Sequence, residues 1–470
     1  MKKLLSTGIL IMFIASAFAQ HNCQIVHEWG TFTTLSTSEG DLLSGLHWEE
    51  EELPSFVYHH VYDSFAPPSA YYSKGFQFTT RIWNVTVKME TPVLYFYSEA
   101  AAPQPVNVRV DFPRGSISEW FPQRSKGEFK HYQKTIDFAD DFKGWIEWDA
   151  LVLPPNTEET MTYGDAYEKP IWDAPRATKA NLVKGPDGNV EKYLFYRGIG
   201  NFEIPVKLEF NIEGNLVITN EGTEVIPYLL VYEKKNNESR VYWTGKLDGK
   251  KYHVVYYDEI HSSPYNVQNE MTAFHAALVK AGLYADEAAA MLDTWQSSYF
   301  EKDGLKVFWI LPDELTNQLL PIQITPQPCE LERVLVGRSE ILTPAFEEKI
   351  KSGNYPGPSD RFYSAYWQRA NQLSENPDQQ WSTTLENMYE NLSLFPNPTT
   401  HEITATVNIP PGSIEINIRN LLGQQVATHF FESEKSNFST TFSLAGLSNG
   451  IYMVEVRAGE KIWQRKVVKQ

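Results

Sequence analysis

The stretch Ser393-Leu-Phe-Pro-Asn-Pro-Thr-Thr400 marks the start of a small C-terminal domain in a chain of 470 residues. After it, apolar side chains recur at every second residue, which is typical of strands with one buried face. The apolar positions are Ile403, Ala405, Val407, Ile414, Ile416, Ile418, Phe438, Phe442, Tyr452, Val454 and Val456. Pro396 and Pro398 stiffen the entry, because proline fixes φ and lacks the N–H that a sheet requires. The pattern predicts a compact antiparallel β-sandwich over residues 394–470.

Four strings follow one another in this segment: LFPNPTT, IEINIRNLLGQQV, LAGLSNGIYMVEV and WQRKVVKQ. In this order they resemble the type A C-terminal sorting domain of proteins exported by the type IX secretion system. The residues that carry the resemblance are Pro396, Asn397, Pro398, Gly423, Gly450, Tyr452 and Lys466. The resemblance implies that the type IX machinery is a partner. It also implies passage through the periplasm and the outer membrane of a Gram-negative bacterium to the cell surface or the medium.

The first residues have the pattern of a secretory signal peptide. Lys2 and Lys3 precede the apolar run Gly8–Phe18, and Ala17-Phe18-Ala19 forms an A-x-A cleavage site. The apolar run is too short to span a bilayer well, and no other run is long enough. We therefore expect a signal peptide over residues 1–19 and no transmembrane segment in the mature chain.

Composition and charge limit the classes of protein and partner. The chain is 42% hydrophobic and 21% charged, which is within the range of globular proteins, and its length suits two or three domains. Its formal net charge of −18 argues against nucleic acid as a partner. Aromatic residues reach 14%, which suits either β cores or a surface that binds sugars. The only cysteines, Cys23 and Cys329, are expected to form a disulfide in an exported chain.

The segment between the signal peptide and the tail is mainly β with a helical segment. Short runs of β-branched and aromatic residues predict a large β-sandwich-like body over residues 20–380. Apolar residues at helical spacing predict a helix pair near 268–299 and further helices near 345–373. A polar linker over residues 381–393 then separates the body from the sorting domain.

The body begins His27-Glu-Trp-Gly-Thr-Phe32 and so resembles the start of a family of uncharacterised secreted bacterial proteins. Met89–Tyr97 and Val336–Pro344 resemble later blocks of the same family. The resemblance implies one large body unit and no particular activity. On a strand, His27 and Glu28 would point to opposite sides. Either residue is a candidate for acid–base chemistry or for metal binding with a distant partner, and the candidate partners are His47, His59 and His60.

Glu147 and Asp149 are a second candidate pair. They lie two residues apart on a predicted strand, so both side chains point to the face that also carries Trp145. Two carboxylates beside an aromatic ring are typical of glycosidases, in which they flank the bond to be cleaved.

Three functions remain open for the body. The first is a binding or structural module for a glycan or another extracellular polymer. The second is an extracellular hydrolase, either dependent on a bound metal or independent of one. The third is an envelope assembly factor. The sequence contains no phosphate-binding or dinucleotide-binding glycine motif, and it identifies no cofactor or metal.

Overall fold

A computed structural model gives the structure of most of the chain. It describes residues 23–47, 50, 53–54, 56–59, 81–128, 135–137, 143–162, 170–257, 265–356, 360–373, 392–395, 397, 399–408, 412–420, 424–433, 437–458 and 461–469. Several predictions lie outside these residues: the signal peptide over 1–19, His60, the linker up to residue 391, Pro396, Pro398 and Gly423. The chain divides into two compact units, Met1–Ala370 and Asn371–Gln470, here termed the body and the tail.

The described part of the body contains twenty strands. They are β1 Ile25–Ser36, β2 Tyr58–His59, β3 Arg81–Trp83, β4 Val87–Tyr97, β5 Gln104–Pro113, β6 Gly115–Phe121, β7 Lys126–Gly127, β8 Thr135–Asp137, β9 Lys143–Val152, β10 Val183–Lys184, β11 Val190–Glu191, β12 Leu194–Gly200, β13 Val206–Phe210, β14 Leu216–Asn220, β15 Ile226–Lys235, β16 Glu238–Leu247, β17 Tyr252–Val255, β18 Gly304–Ile310, β19 Ile322–Thr325 and β20 Glu330–Ile341.

The largest sheet has nine strands in the order β16-β15-β18-β20-β1-β4-β12-β6-β2. Strand β1 lies near its centre, parallel to β20 and antiparallel to β4. A second sheet has the order β11-β10-β9-β5-β19, with β7 also paired to β9, and a third contains β13, β14 and β17. In β5, Val106, Val108 and Val110 are buried while the residues between them are more exposed, as the sequence alternation predicts.

Both faces of the large sheet are covered, and β1 shows how. Eleven of its twelve residues are buried. One face of β1 carries His27 and Thr31, whose partners Glu287 and Tyr299 belong to the helical segment. The opposite face carries Glu28, which bonds to Tyr196 of β12. The Tyr196 ring in turn meets the ring of Trp148 on β9, with centroids 6.3 Å apart, so the second sheet packs on this face. These contacts confirm the predicted class of a mainly β fold with a helical segment.

The described helices are α1 Pro170–Arg176, α2 Val267–Lys280, α3 Ala285–Thr294, a π-helix Gln296–Phe300, α4 Asp313–Leu319, α5 Pro344–Lys351 and α6 Tyr363–Leu373. The Asn266 side chain accepts a hydrogen bond from the backbone N of Asn269 and caps the start of α2. Gly282 has φ of +124°, a value that favours glycine, and it lies just after the end of α2. None of these helices combines the length and apolar character that crossing a membrane requires.

The two cysteines form a disulfide between Cys23 and Cys329, with their Cα atoms 5.8 Å apart. The backbone N of Cys329 also donates to the carbonyl of Gln24 at 2.9 Å. The bond joins the starts of β1 and β20, which run in parallel from this end. The predicted disulfide is thus confirmed, and it closes a loop of 306 residues.

The tail consists of two antiparallel sheets that share one apolar core. Its described strands are β21 Ser393–Phe395, β22 Glu402–Asn408, β23 Gly412–Asn420, β24 Gln425–Ser433, β25 Asn437–Ser443, β26 Gly450–Ala458 and β27 Lys461–Lys469. The first sheet has the order β21-β22-β25 and the second the order β24-β23-β26-β27. Ile403, Ile416 and Val454 are fully buried in this core, as the period of two predicts.

Candidate functional site

His27 lies on β1 and faces helix α3. Its Nδ1 is 2.8 Å from Oε2 of Glu287, and both side chains are buried. The other oxygen of Glu287 accepts a hydrogen bond from the Tyr97 hydroxyl at 2.6 Å, and Oε2 also accepts one from the backbone N of Tyr284 at 2.7 Å. Because three donors converge on one carboxylate, this group orients the imidazole and joins the sheet to the helix.

The second nitrogen of His27 points toward the acidic start of β20. Its Nε2 is 3.8 Å from Oε1 of the half-exposed Glu330, and among the residues that the structure describes it has no hydrogen-bond partner. Glu332 lies beside His27 in the parallel register, and burial, together with the charge of Glu330, raises the pKa of Glu332. The Tyr284 ring stacks over the imidazole at 4.4 Å between centroids and closes this side.

Glu28 faces the opposite side of β1, as the sequence predicted for a strand. Its oxygens accept hydrogen bonds from the Tyr196 hydroxyl and from Nε of Arg333, each at 2.6 Å. Arg333 also donates to the carbonyl of Leu320 at 2.7 Å. Burial, together with the Glu28 charge, holds the pKa of Tyr196 well above its usual value. The catalytic roles suggested by sequence for His27 and Glu28 stay predictions. The observed contact of His27 joins the large sheet to helix α3, whereas those of Glu28 link strands within that sheet.

Two of the histidines considered as partners of His27, His47 and His59, do not lie beside it, and the third, His60, lies outside the described residues. His47 lies near Lys88, whose strand partner on β1 is Thr33. Thr33 is six residues along β1 from His27, a distance of about 20 Å. His59 lies on β2 at the edge of the large sheet, where it pairs with Glu119. Within the described ranges, no group of three or more His, Cys, Asp or Glu side chains is placed to hold a metal ion.

Glu147 and Asp149 share one face of β9, as predicted. The amide of Asn107 donates to both carboxylates, at 3.2 and 2.8 Å, and Lys126 lies 2.9 Å from Glu147. These hydrogen bonds lower the pKa of both acids. The nearby Trp145 ring is covered by the Arg109 guanidinium, 4.1 Å from the ring centroid. The catalytic role of this pair stays a prediction, and a lowered pKa is unfavourable for a proton donor at neutral pH.

A pocket of about 410 Å³ lies at the end of the large sheet where β1 and β20 finish and β18 begins. We call it the end pocket. Its wall includes the end of β15, the start of α5 and the turn before α6. Tyr257, Phe346 and Tyr366 supply aromatic rings, and Lys234, Lys349 and Asp360 supply polar groups. Its volume falls in the range of about 300–1,000 Å³ that is usual for small-molecule sites.

The aromatic wall of the end pocket is held by specific contacts. The Tyr257 hydroxyl donates to Oε1 of the buried Glu233 at 2.9 Å, and Tyr242 donates to the other oxygen at 2.7 Å. The Phe346 and Tyr366 rings meet edge to face, with centroids 5.4 Å apart. These contacts fix the rings before a ligand arrives, which reduces the entropy lost on binding.

Glu340 and Asp360 both line the end pocket, and their surroundings shift their pKa values in opposite directions. Arg361 donates to both oxygens of Glu340, at 3.0 and 2.8 Å. Burial opposes ionisation of Glu340, yet Arg361, Lys306 and Arg338 outweigh it and lower the pKa of this acid. Asp360 accepts a hydrogen bond from the backbone N of Phe362 at 2.8 Å, but burial raises its pKa and the negative charge of Glu340 adds to the effect.

Behind Glu340, a row of buried charges continues along the large sheet. Arg338 and Lys88 both bond to Glu50, and Arg338 is also 3.4 Å from Glu340. The Arg338 guanidinium stacks on the Tyr299 ring at 4.1 Å from its centroid. The end pocket therefore opens onto a preorganised electrostatic network rather than an apolar core.

Sequence reasoning did not find the end pocket. Its residues are spread from position 35 to position 366. Those from Glu340 to Thr343 belong to the Val336–Pro344 block, whose resemblance implied no particular activity. One signal was available: β20 reads Glu-Leu-Glu-Arg-Val-Leu-Val-Gly-Arg-Ser-Glu-Ile, with charges inside an otherwise apolar strand. Charges at buried strand positions require partners, so they point to a polar network.

In the tail, the structure explains the Asn of the Pro-Asn-Pro string. The Asn397 side chain donates to the carbonyl of Lys466 and accepts from the backbone N of Val468, each at 2.8 Å. It thereby attaches the entry loop to the last strand. The Tyr452 hydroxyl donates to the carbonyl of Ser448 at 2.8 Å and closes the turn before Gly450, where β26 begins.

Three solved structures resemble this chain distantly. A yeast delta-COP-I mu-homology domain covers 68% of this chain and 98% of its own, at 7% identity and a TM-score of 0.26. Dimeric latent PorU from Porphyromonas gingivalis covers 83% and 32%, at 7% identity and a TM-score of 0.15. The FN1–FN3 domains of chicken CNTN1 cover 81% and 94%, at 8% identity and a TM-score of 0.14. A comparison with curated proteins finds no match.

The tail gives a clear result. Residues 393–470 match the family model described as a secretion system C-terminal sorting domain. The match begins at the Ser393 string and runs through β27, so it covers the two sheets described above. It supports secretion of the chain by the type IX system to the cell surface or the extracellular space, and it identifies residues 393–470 as the sorting domain of this protein.

Proposed function

We propose that the body is an extracellular binding module for a glycan segment of a polymer, and that the glycan binds in the end pocket. The observation that carries the proposal is the composition of this pocket, in which three aromatic rings stand beside lysine and carboxylate side chains. Sugars present apolar C–H faces that pack on rings, and hydroxyl groups that need donors and acceptors. A pocket with both kinds of group suits that chemistry.

The destination of the protein is consistent with this ligand class. The sorting domain supports export to a location where the polymers of other cells and of the surroundings are within reach. The charged groups of the pocket are already paired with one another, as Glu340 is with Arg361. A neutral or weakly charged sugar fits such a lining better than a strongly charged ligand, because it leaves these pairs intact.

The other two functions have less support. An envelope assembly factor needs a large apolar surface for its partner. In the part of the body that the structure describes, Tyr252 and Val254 of β17 and the following Tyr256 form a short exposed apolar row. A hydrolase needs titratable groups that converge on one site. Among the described residues, Glu340 and Asp360 both line the end pocket, where the pKa of Glu340 is lowered and that of Asp360 is raised.

The proposal is tested with the full chain, purified from the medium or the cell surface, on an array of extracellular glycans, followed by calorimetry with each glycan retained. Phe346→Ala removes a ring from the pocket wall, and we expect binding at least about tenfold weaker. Tyr252→Ala is the control, because Tyr252 is an aromatic residue with 68% exposure on a different surface. Thermal unfolding of both variants checks that they fold.

Two results would overturn the proposal. One is that no glycan binds to the wild-type chain. The other is that Tyr252→Ala abolishes binding while Phe346→Ala leaves it unchanged, since the ligand would then bind at β17 and not in the end pocket.

A further inference from the structure

The buried imidazole of His27 has one nitrogen fixed by a carboxylate and one nitrogen without a partner. Its Nδ1 lies 2.8 Å from Oε2 of Glu287, a carboxylate that also accepts hydrogen bonds from the Tyr97 hydroxyl and the Tyr284 backbone N. Because a carboxylate is an acceptor, the Nδ1 of His27 carries the proton, and the lone pair of the neutral ring is on Nε2. Among the described residues Nε2 has no hydrogen-bond partner, although the side chain is fully buried.

Glu330 places a carboxylate oxygen in front of this lone pair. Its Oε1 lies 3.8 Å from Nε2 of His27, which is too far for a hydrogen bond. Zn²⁺ holds nitrogen and oxygen ligands at about 2.0–2.2 Å, which places two ligands of a tetrahedral site about 3.4 Å apart. The Glu330 side chain is 49% exposed, and a movement of about 0.4 Å would bring it to that spacing. The gap between the two atoms therefore has the size that a metal cation needs.

The surroundings of the gap also suit a cation. Glu332 is the register partner of His27 on β20, so its side chain lies on the same face of the sheet. Its carboxylate extends toward Gly282, with Oε2 2.6 Å from the position that a Cβ there would take. On the other side of the ring, Glu287 accepts the Nδ1 proton. Histidines that bind metals usually donate their second ring N–H to a carboxylate in this way, which orients the ring and makes Nε2 a stronger ligand.

We propose that Nε2 of His27 and the carboxylate of Glu330 bind a divalent transition-metal cation such as Zn²⁺. Imidazole and carboxylate are both ligands that Zn²⁺ accepts, whereas Mg²⁺ and Ca²⁺ prefer oxygen alone. In the part of the chain that the structure describes, no set of three His, Cys, Asp or Glu side chains is placed around a metal. The remaining positions on the cation therefore belong to water or to a ligand, and the cation is exchangeable, unlike the closed four-ligand sites of structural zinc.

This pair gives His27 a metal-binding partner that the sequence did not suggest. The site does not depend on the proposed glycan function, because His27 lies near the start of β1, whereas the end pocket lies where that strand finishes. Leu35 of the pocket wall is eight residues further along β1, a distance of about 27 Å. Glycan binding in the end pocket should therefore be the same with and without Zn²⁺.

The test is a calorimetric titration of the full chain with zinc chloride, after a chelator has removed bound metal and dialysis has removed the chelator. We expect the wild-type chain to bind about one equivalent at this site. Glu330→Gln removes the ligand charge at a half-exposed position, and we expect it to bind that equivalent at least about tenfold more weakly. Glu348→Gln is the matched control, because it makes the same change at an exposed residue of α5, and its affinity should stay within about twofold of wild type.

His27→Gln removes the imidazole lone pair and keeps a polar group beside Glu287, so we expect it to lose the same equivalent. Thermal unfolding checks whether this variant folds, and if it does not, Glu330→Gln decides the question alone. The same measurement gives a second readout, because a cation that binds only the folded chain raises its unfolding midpoint. Zinc chloride should raise the midpoints of the wild-type chain and of Glu348→Gln more than that of Glu330→Gln.

Two results would overturn the proposal. If the wild-type chain takes up no Zn²⁺, water and not a cation fills the gap between His27 and Glu330. If Glu330→Gln and a folded His27→Gln both bind Zn²⁺ as tightly as the wild-type chain, the cation binds at other histidines on the surface. Neither result bears on the glycan proposal, which is decided by the array and by Phe346→Ala.

Discussion

Nδ1 of His27 lies 2.8 Å from Oε2 of Glu287, although the two residues are 260 positions apart and both are fully buried. The contact joins the central strand β1 to helix α3. Glu287→Ala would leave His27, the Tyr97 hydroxyl and the Tyr284 N–H without this acceptor. We expect a loss of about 3 kcal/mol in the free energy of unfolding, measured for the body by urea titration with tryptophan fluorescence.

The control for this change is Asp293→Asn on the exposed side of the same helix, which should alter stability by less than about 0.5 kcal/mol. Glu287→Gln keeps the shape and one acceptor oxygen, so its effect should lie between the two. If Glu287→Ala unfolds at the same urea concentration as Asp293→Asn, the contact does not hold the sheet to the helix.

On the other face of β1, the pair Glu28–Arg333 links this strand to its neighbour β20 in the same sheet. Arg333→Met leaves the carboxylate of Glu28 buried, and among the described residues the Tyr196 hydroxyl is then its remaining side-chain donor. We expect a loss of about 3–5 kcal/mol, and a smaller loss in the double variant Glu28→Gln/Arg333→Met, because no charge is then left unpaired. Denaturation of the three chains measures the coupling, and a double variant that is less stable than Arg333→Met would contradict the explanation.

The disulfide should stabilise the body through its long loop. Replacing Cys23 and Cys329 together by serine is expected to lower the free energy of unfolding by about 2–5 kcal/mol. Thermal unfolding with and without a thiol reductant measures the effect. The reductant should lower the midpoint of the wild-type chain and leave that of the double variant unchanged. A wild-type midpoint that is insensitive to full reduction would show that the bond adds nothing.

The lowered pKa of His47 predicts that the folded body loses stability in acid. Burial, and the charge of Lys88, lower its pKa in the folded chain to about 4, whereas in the unfolded chain it is about 6.5. Between these values the unfolded chain binds more protons, so stability falls as the pH falls from about 6.5 to 4. Because His47 is only half-buried, we expect a loss of about 2 kcal/mol from this group.

Unfolding measured from pH 7 to pH 4 checks this sign. His47→Gln removes the titrating group and should flatten the decline over that range, while His275→Gln, at a partly exposed helix position, should follow the wild-type curve. A His47→Gln curve that runs parallel to the wild-type curve would exclude His47 as the source.

Asn397 should be needed for a stable tail. Asn397→Ala removes its two hydrogen bonds to β27 and leaves the backbone groups of Lys466 and Val468 without them. We expect the tail to lose about 1–3 kcal/mol and the exported fraction of the chain to fall. Immunodetection of the protein in the periplasm and in the medium measures export. The exposed Thr400→Ala is the control, and equal export of the two variants would contradict this role.

Local patterns in the sequence determined the parts of the structure that depend on neighbouring residues. Alternation from Ile403 onward predicted the strands of the tail, and the spacing of Met271, Phe274 and Leu278 predicted α2. These patterns work because the period of a strand or a helix decides which side chains share a face. The two cysteines could be paired because the choice was limited to one partner.

Only the tertiary structure decided which buried charges meet. Strand β1 carries His27, Glu28, Thr31, Thr33 and Thr34, so its polar residues show no alternation that would reveal a central strand. Its partner β20 lies about 300 residues later, and the end pocket forms where their ends meet Arg361 and Asp360. The spacing of apolar residues along the sequence does not reveal which distant charges pair. A charge requires a partner only when it is buried, and it becomes buried only when the sheets and helices pack.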